Sequence, residues 1–210
     1  MHQKDFIYPE LSHFINSLDI TVISENRKGI LQPLKDEIQH LMNEHQPIEL
    51  VFVCTHNSRR SILAQVWAQT LSAFYQLPNM ESYSGGTEAT AVYPMIIEVL
   101  QKSGFKIDTS SEMQNPIHTI SYSEVLPVVS AFSKLYNDPK NPHKEFIAVM
   151  SCANADKNCP IIHGAKSRIS ITYEDPKIAD NTNKQHQIYF ERNKQIATEL
   201  KYVLTSIDTY

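Results

Sequence analysis

The sequence lacks the long apolar runs of a membrane protein. No stretch of its 210 residues approaches the roughly 20 apolar residues that a membrane-spanning helix needs. The first residues, MHQKDFIYPELSHF, mix charged and polar side chains with apolar ones, so the apolar core of a signal peptide is missing too. We therefore expect a cytoplasmic protein that does not bind a membrane.

Cysteine is scarce, and the charge is nearly balanced. The three cysteines, Cys54, Cys152 and Cys159, are too few and odd in number for a disulfide framework. In a reducing compartment they are either reactive thiols or small buried side chains. The net charge of −4 and the pI near 6.1 argue against nucleic acid as a partner.

Short apolar runs alternate with amphipathic segments. Residues 48–54, IELVFVC, form a run typical of a buried parallel strand. The other predicted elements are strands near 82–84, 146–152 and 168–173, and helices over 61–76, 94–102 and 184–206. For residues 108–145, which contain four prolines, we expect loops, a short helix and one strand. The alternation predicts an α/β fold with a parallel sheet.

Residues 1–47 differ from the rest and are predicted to form a helical N-terminal extension before a catalytic domain at 48–210. An apolar helix face is expected from Leu31, Leu34, Ile38 and Leu41. Pro33 is expected in the first turn of that helix, where the missing N–H costs little. The extension is interpreted as a packing arm or as a homodimer contact.

Residues 54–61, CTHNSRRS, join the first strand to the next helix. Their C-x5-R spacing places a cysteine at the end of a strand and an arginine at the start of a helix. The backbone N–H groups of such a loop can curl around a tetrahedral oxyanion, aided by the helix N-terminus. The loop residues that we expect to bind the oxyanion are Thr55, His56, Asn57, Ser58 and Arg59.

Side chains of this loop suggest a nucleophile and its support. The positive field of the loop favours the thiolate form of Cys54. The planar fork of Arg60 can grip two oxygens of the anion, which a lysine could not do. Asn57 suits a left-handed backbone position, and Ser61 can donate its hydroxyl to the sulfur. An ordinary strand-to-helix turn with a buried cysteine is the alternative.

A leaving oxygen needs a proton donor, and Asp175 in the segment YEDP is the candidate. Asp175 follows the last predicted strand, whose carboxyl end lies at the same edge of a parallel sheet as Cys54. Pro176 stiffens the turn that aims this carboxylate. A plain Asp-Pro turn is the alternative.

The segments VFVCTHNSRRS, YSGGTEATAVYP and YEDP, in this order, resemble the low-molecular-weight protein tyrosine phosphatase superfamily. The segment CANADKNCP, with Cys152 and Cys159, makes the chain most similar to the thioredoxin-coupled arsenate reductases of that superfamily. The resemblance covers residues 48–206. It implies a three-layer sandwich around a central four-stranded parallel sheet.

The resemblance also implies a relay of thiols. Cys54 attacks arsenate, Cys152 attacks the Cys54–arsenic adduct and releases arsenite, and Cys159 takes over the disulfide. Thioredoxin then reduces the Cys152–Cys159 pair, so no tightly bound cofactor is expected. Each thiol must reach the previous sulfur, which requires residues 153–158 to be mobile.

Two positions of the loop depart from the family pattern. His56 stands where the reductase loop has glycine, so its side chain narrows the site, or strains the backbone if φ is positive. Arg59 replaces a further cysteine of many reductases and adds positive charge near the anion.

Some reductases of this group bind a potassium ion beside the loop. Asn57 and Ser84 match two of its ligands, but Gln65 and Met113 replace acidic ones. We therefore predict no metal site.

Three functions remain open from the sequence. The first is arsenate reduction by the three cysteines. The second is hydrolysis of phosphomonoesters, since phosphate and arsenate are nearly isosteric anions. The third is a non-enzymatic oxyanion sensor, against which the combination of Cys54, Arg60 and Asp175 argues.

Overall fold

The computed structural model describes residues 6–110, 114–159 and 161–208 of the chain. Its helices are α1 (Pro9–Ser17), α2 (Glu25–Asn43), α3 (Arg60–Tyr75), α4 (Pro94–Lys102), α5 (Ala153–Asn158) and α6 (Gln185–Thr205). Its strands are β1 (Ile48–Cys54), β2 (Met80–Gly86), β3 (Lys106–Thr109), β4 (His118–Ser121), β5 (Val129–Ala131), β6 (Phe146–Met150) and β7 (Ala165–Ser170). Within these ranges, no helix has both the length and the apolar character needed to cross a membrane.

Four parallel strands in the order β2-β1-β6-β7 form the central sheet. Side chains of β1 alternate between the two faces of the sheet. Leu50 and Phe52 enter one buried cluster, and Val51 and Val53 enter the other. Helices α1, α2, α3, α4 and α6 contribute to the first cluster, whereas α5 covers part of the second face. The predicted α/β sandwich around a four-stranded parallel sheet is confirmed.

The register brings three chain segments to one edge of this sheet. Cys54 lies opposite Gly86 at the end of β2, and Val53 lies opposite Met150 in β6. Beyond the paired strands, the Tyr173 N–H donates to the Ser151 carbonyl at 3.2 Å. The residues that follow β1, β6 and β7 therefore meet at the carboxyl ends of the strands.

A second sheet lies mostly in the region for which loops, a short helix and one strand were predicted. β3, β4 and β5 form this sheet in antiparallel order. The described part of 108–145 contains no helix, so the predicted short helix is wrong, and it contains more strands than the one predicted. Each strand has only three or four residues, too few for an alternating pattern to become visible in the sequence.

The predicted N-terminal helices are present, but Pro33 lies inside α2 rather than in its first turn. The helix begins earlier because Ser24 caps it, with its hydroxyl accepting from the Arg27 N–H at 3.3 Å. The predicted apolar face of α2 is buried in the same cluster as the central sheet. This supports the packing interpretation of the extension, while the division of the chain at residue 47 stays a prediction.

Candidate active site at the end of strand β1

The loop between β1 and α3 folds around the sulfur of Cys54, which is 4% exposed. Asn57 has a φ of 46°, which confirms its predicted left-handed position, and its N–H donates to the Cys54 Sγ at 3.1 Å. His56 has no positive φ, so the backbone strain considered for it does not arise. The loop thus aims a backbone N–H at the sulfur.

Ser61 supplies a second contact to the same sulfur. Its Oγ lies 3.0 Å from the Cys54 Sγ and accepts from the Asn57 side-chain amide at 2.8 Å. That oxygen accepts a hydrogen bond from Asn57, and its own O–H can donate to the sulfur. The Cys54 sulfur is therefore held between the Asn57 N–H and the Ser61 hydroxyl.

Arg60 lies at the first position of α3 and connects the loop to the chain beyond β7. Its Nη1 donates to the Tyr173 carbonyl at 2.8 Å, and its Nη2 donates to Asp175 Oδ2 at 2.5 Å. The structure therefore pairs the predicted oxyanion binder with the predicted proton donor. The Nε of Arg60 is buried without a hydrogen-bond partner among the described residues.

The thiol and this ion pair line a cavity of about 180 Å³, which has room for a tetrahedral oxyanion. Of the predicted site residues, the cavity is lined by Cys54, Thr55, His56, Ser58, Arg59, Arg60 and Asp175, but not by Asn57, Ser61, Cys152 or Cys159. Asn154 and Lys177 also line the cavity, and the sequence did not single them out. Both are polar, and each follows a segment that the sheet brings to this edge.

Arg59 also lines the cavity, but most of its guanidinium is committed elsewhere. Its Nε donates to the Tyr189 hydroxyl at 2.6 Å, and its Nη2 donates to Asp180 Oδ2 at 2.8 Å. Its guanidinium lies 4.1 Å from the centre of the Tyr93 ring. The extra charge expected from Arg59 is therefore fixed in place and partly neutralised by Asp180.

Residues far away in the sequence support the loop. The Lys134 N–H donates to Asn57 Oδ1 at 3.0 Å, and the Ser133 hydroxyl donates to the His56 carbonyl at 2.7 Å. Gly86 lies so close to the loop that a Cβ on this residue would come within 2.6 Å of the Thr55 carbonyl oxygen. The sequence gives no signal for Ser133 and Lys134, because they follow β5, a strand too short to be recognised from its pattern.

The three cysteines are free and lie on two neighbouring segments. Cys152 is fully buried, and its sulfur lies 3.5 Å from the Thr55 hydroxyl, one residue along the loop from Cys54. Cys152 also caps α5, because its sulfur accepts from the Ala155 N–H at 3.3 Å. Cys159 follows the other end of α5 and is partly exposed. The structure thus brings Cys152 to the loop and leaves Cys159 further away.

The residues considered for a potassium ion hydrogen-bond to other protein groups. Ser84 donates to Gln65 Oε1 at 2.6 Å, and Asn57 Oδ1 is occupied by the Lys134 N–H. Met113 lies outside the described residues. Within the part of the chain that the structure describes, no three His, Cys, Asp or Glu side chains form a group that could hold a metal.

The chain is similar in sequence to several known proteins. The model of the family described as low molecular weight phosphotyrosine protein phosphatase matches residues 49–134. Arsenate reductase 2 of Staphylococcus epidermidis is 30% identical over 127 residues, which cover 60% of this chain and 77% of that protein. An arsenate reductase of Halalkalibacterium halodurans is 26% identical over 143 residues, which cover 68% of this chain and 84% of that protein. A solved thioredoxin-dependent arsenate reductase of Corynebacterium glutamicum matches at 20% identity and a TM-score of 0.41, covering 82% of this chain and 71% of that one.

Proposed function

The chain belongs to the low-molecular-weight phosphotyrosine protein phosphatase family, which includes arsenate reductases, and from this membership we propose that it reduces arsenate to arsenite. One observation carries the choice of reaction. The Cys152 sulfur lies 3.5 Å from the Thr55 hydroxyl, inside the loop that begins at Cys54. Phosphoester hydrolysis needs one nucleophilic thiol, whereas reduction by thiols needs a second one within reach.

The first step uses the cavity beside Cys54. Arsenate binds to the loop N–H groups and to Arg60, which exchanges its contact with Asp175 for the anion. The Cys54 thiolate attacks arsenic, and a sulfur–arsenic bond forms as an arsenic–oxygen bond breaks. Asp175, released from Arg60 and protonated from solvent, gives its proton to the leaving oxygen, which departs as water.

The second step is the reduction itself. The Cys152 thiolate attacks the Cys54 sulfur and forms a disulfide, and the electron pair of the sulfur–arsenic bond moves to arsenic. Arsenic passes from the +5 to the +3 state, and arsenite leaves. Cys159 then attacks the Cys152 sulfur, which frees Cys54 as a thiolate and leaves a Cys152–Cys159 disulfide.

Helix α5 must unwind during this transfer. Cys159 lies seven positions after Cys152, and a helical path of seven steps spans about 10 Å. A disulfide requires Cα atoms within about 7 Å, so the two cysteines cannot pair while the helix is intact. The mobility predicted for residues 153–158 would therefore take the form of an opening of α5. Thioredoxin in the cytoplasm is the proposed reductant of the final disulfide.

The test measures arsenite formed with thioredoxin, thioredoxin reductase and NADPH. We expect turnover by the wild type and loss of turnover in Cys152→Ser and in Cys159→Ser. Both variants should still bind one phosphate per molecule. Full arsenate turnover by Cys152→Ser would exclude the relay. Titration with phosphate serves as the control that the Cys54 loop remains folded.

Phosphomonoester hydrolysis is the second candidate, because Cys54, Arg60 and Asp175 line one cavity without help from the other cysteines. In that reaction Cys54 forms a phosphoenzyme and Asp175 protonates the leaving alcohol. Rapid hydrolysis of para-nitrophenyl phosphate that is unaffected by Cys152→Ser, together with no arsenite formation, would favour this function.

A further inference from the structure

Helix α2, in the predicted N-terminal extension, reaches the chain segment that follows β7. Arg27 donates from Nε to Glu199 Oε1 at 3.0 Å and from Nη2 to Glu199 Oε2 at 2.7 Å. Its Nη1 donates to the Thr172 carbonyl at 3.2 Å. The Glu199 side chain is 4% exposed and that of Arg27 is 18% exposed, so this two-point ion pair is largely shielded from water.

The residue next to Thr172 touches both Arg27 and the active site. The Arg27 guanidinium lies 4.9 Å from the centre of the Tyr173 ring, which is buried. The Tyr173 carbonyl accepts from Arg60 Nη1 at 2.8 Å. Arg27 and Arg60 therefore hold consecutive carbonyl groups of one short segment, and Asp175 follows two residues later.

With the proposed function as its premise, we propose that Arg27 is a positioning residue for the reaction at Cys54. Glu199 orients Arg27, and Arg27 fixes the backbone at Thr172 and Tyr173. That backbone in turn sets where the guanidinium of Arg60 lies when it leaves Asp175 for the anion. Small displacements of a binding group cost large factors in rate, so this contact matters although Arg27 does not line the cavity.

Three variants separate positioning from folding. Arg27→Lys keeps the charge but cannot make both the fork to Glu199 and the bond to Thr172. The double variant Arg27→Met with Glu199→Met removes both charges together, so no buried charge is left unpaired. Lys28→Met is the matched control, because the neighbouring Lys28 pairs with the exposed Glu25 at 2.6 Å.

The readouts are kcat and KM for arsenate, and the alkylation rate of Cys54 by iodoacetate relative to iodoacetamide. Iodoacetate is an anion that Arg60 guides to the sulfur, whereas iodoacetamide is neutral. We expect both Arg27 variants to lower kcat about tenfold and the iodoacetate preference by about threefold or more, with circular dichroism unchanged. We expect Lys28→Met to match the wild type.

An unchanged kcat and an unchanged iodoacetate preference in Arg27→Lys or in the folded double variant would overturn the proposal. If the double variant does not fold, Arg27→Lys alone decides. If the wild type fails to reduce arsenate, the proposed function fails, but the alkylation ratio still tests the role of Arg27.

Discussion

At the scale of the residue, Lys134 holds a positive charge in a position with little access to water. The residue is 4% exposed, and its Nζ lies 4.7 Å from the centre of the Phe132 ring. Burial lowers the pKa of Lys134 to about 8, and Asp138 offsets only part of this effect. The backbone N–H of Lys134 holds Asn57 in the loop, which fixes where Lys134 lies. Its buried charge lowers the stability of the folded state.

We predict that Lys134→Met stabilises the protein at pH 7. Below pH 8 the amine is charged in both the folded and the unfolded chain, so the folded state bears the full cost of burying it. Between about pH 8 and 10.5 the folded state loses the proton first, so wild-type stability rises with pH relative to the variant. From the shift in pKa, the gain at pH 7 is at most on the order of 3 kcal/mol.

Urea unfolding at several pH values measures this difference. Lys140→Met is the control, since Lys140 also lies over the Phe132 ring, at 4.8 Å, but is exposed. A constant difference between wild type and Lys134→Met from pH 7 to 10 would show that the buried amine does not titrate as described.

The sequence reveals some residues of the site and hides others for a physical reason. Cys54, Asn57 and Arg60 lie within one loop, whose geometry follows from local spacing and from the end of a strand. Ser133 and Arg27 act through contacts with residues 77 and 145 positions away. Such contacts depend on how the elements pack, which spacing along the chain does not encode.

At the scale of the element, two glycines have opposite surroundings. A Cβ on Gly85 in β2 would lie 2.2 Å from the Tyr136 Cα, because the chain after β5 runs directly over this strand. A Cβ on Gly29 in α2 would meet nothing within 4 Å. Gly85 thus allows the close approach that carries Lys134 to the loop.

We predict that Gly85→Ala destabilises the protein by about 2 kcal/mol or more, since backbone must move to relieve the clash. Gly29→Ala should stabilise it by about 0.5–1 kcal/mol, because alanine favours a helix interior. Thermal unfolding of the two variants checks both signs. A neutral Gly85→Ala would mean that the segment after β5 is not seated on β2.

Long elements were predictable and short ones were not. The bounds of β1 and α4 match the prediction, and those of α3 and α6 differ by one residue at each end, since each has a clear apolar pattern. β3 and β4 pair with each other across a connection and have few buried side chains. These two strands are recognised by their hydrogen bonds to each other, and such pairing produces no clear pattern in the sequence of either strand.

At the scale of the whole molecule, the N-terminal helices and the sheet share one apolar cluster. The single tryptophan, Trp67 in α3, stacks on Phe14 of α1 with 5.4 Å between ring centres. Its Nε1 donates to Asn193 of α6 at 2.7 Å. Trp67 therefore senses the packing of the extension against the predicted catalytic domain.

We predict that Leu34→Ala destabilises the whole chain by about 2–5 kcal/mol, because Leu34 is fully buried in the shared cluster. Ile30→Ala, in the same helix at a position that is 38% exposed, should have a much smaller effect. Unfolding followed by Trp67 fluorescence and by far-ultraviolet circular dichroism should give coincident transitions. An earlier fluorescence transition would mean that the extension unfolds by itself.

The burial of Cys152 has a consequence for timing. A thiol with no exposed surface cannot meet a dissolved reagent until the protein opens around it, and Cys152 is covered where it caps α5. When that opening is fast and reversible, the reaction rate of Cys152 with a small electrophile is the equilibrium fraction of open protein multiplied by the intrinsic rate of the thiol. Modification of Cys152 therefore reports how much of the time α5 is open, and the thiol is protected from oxidants while α5 is closed.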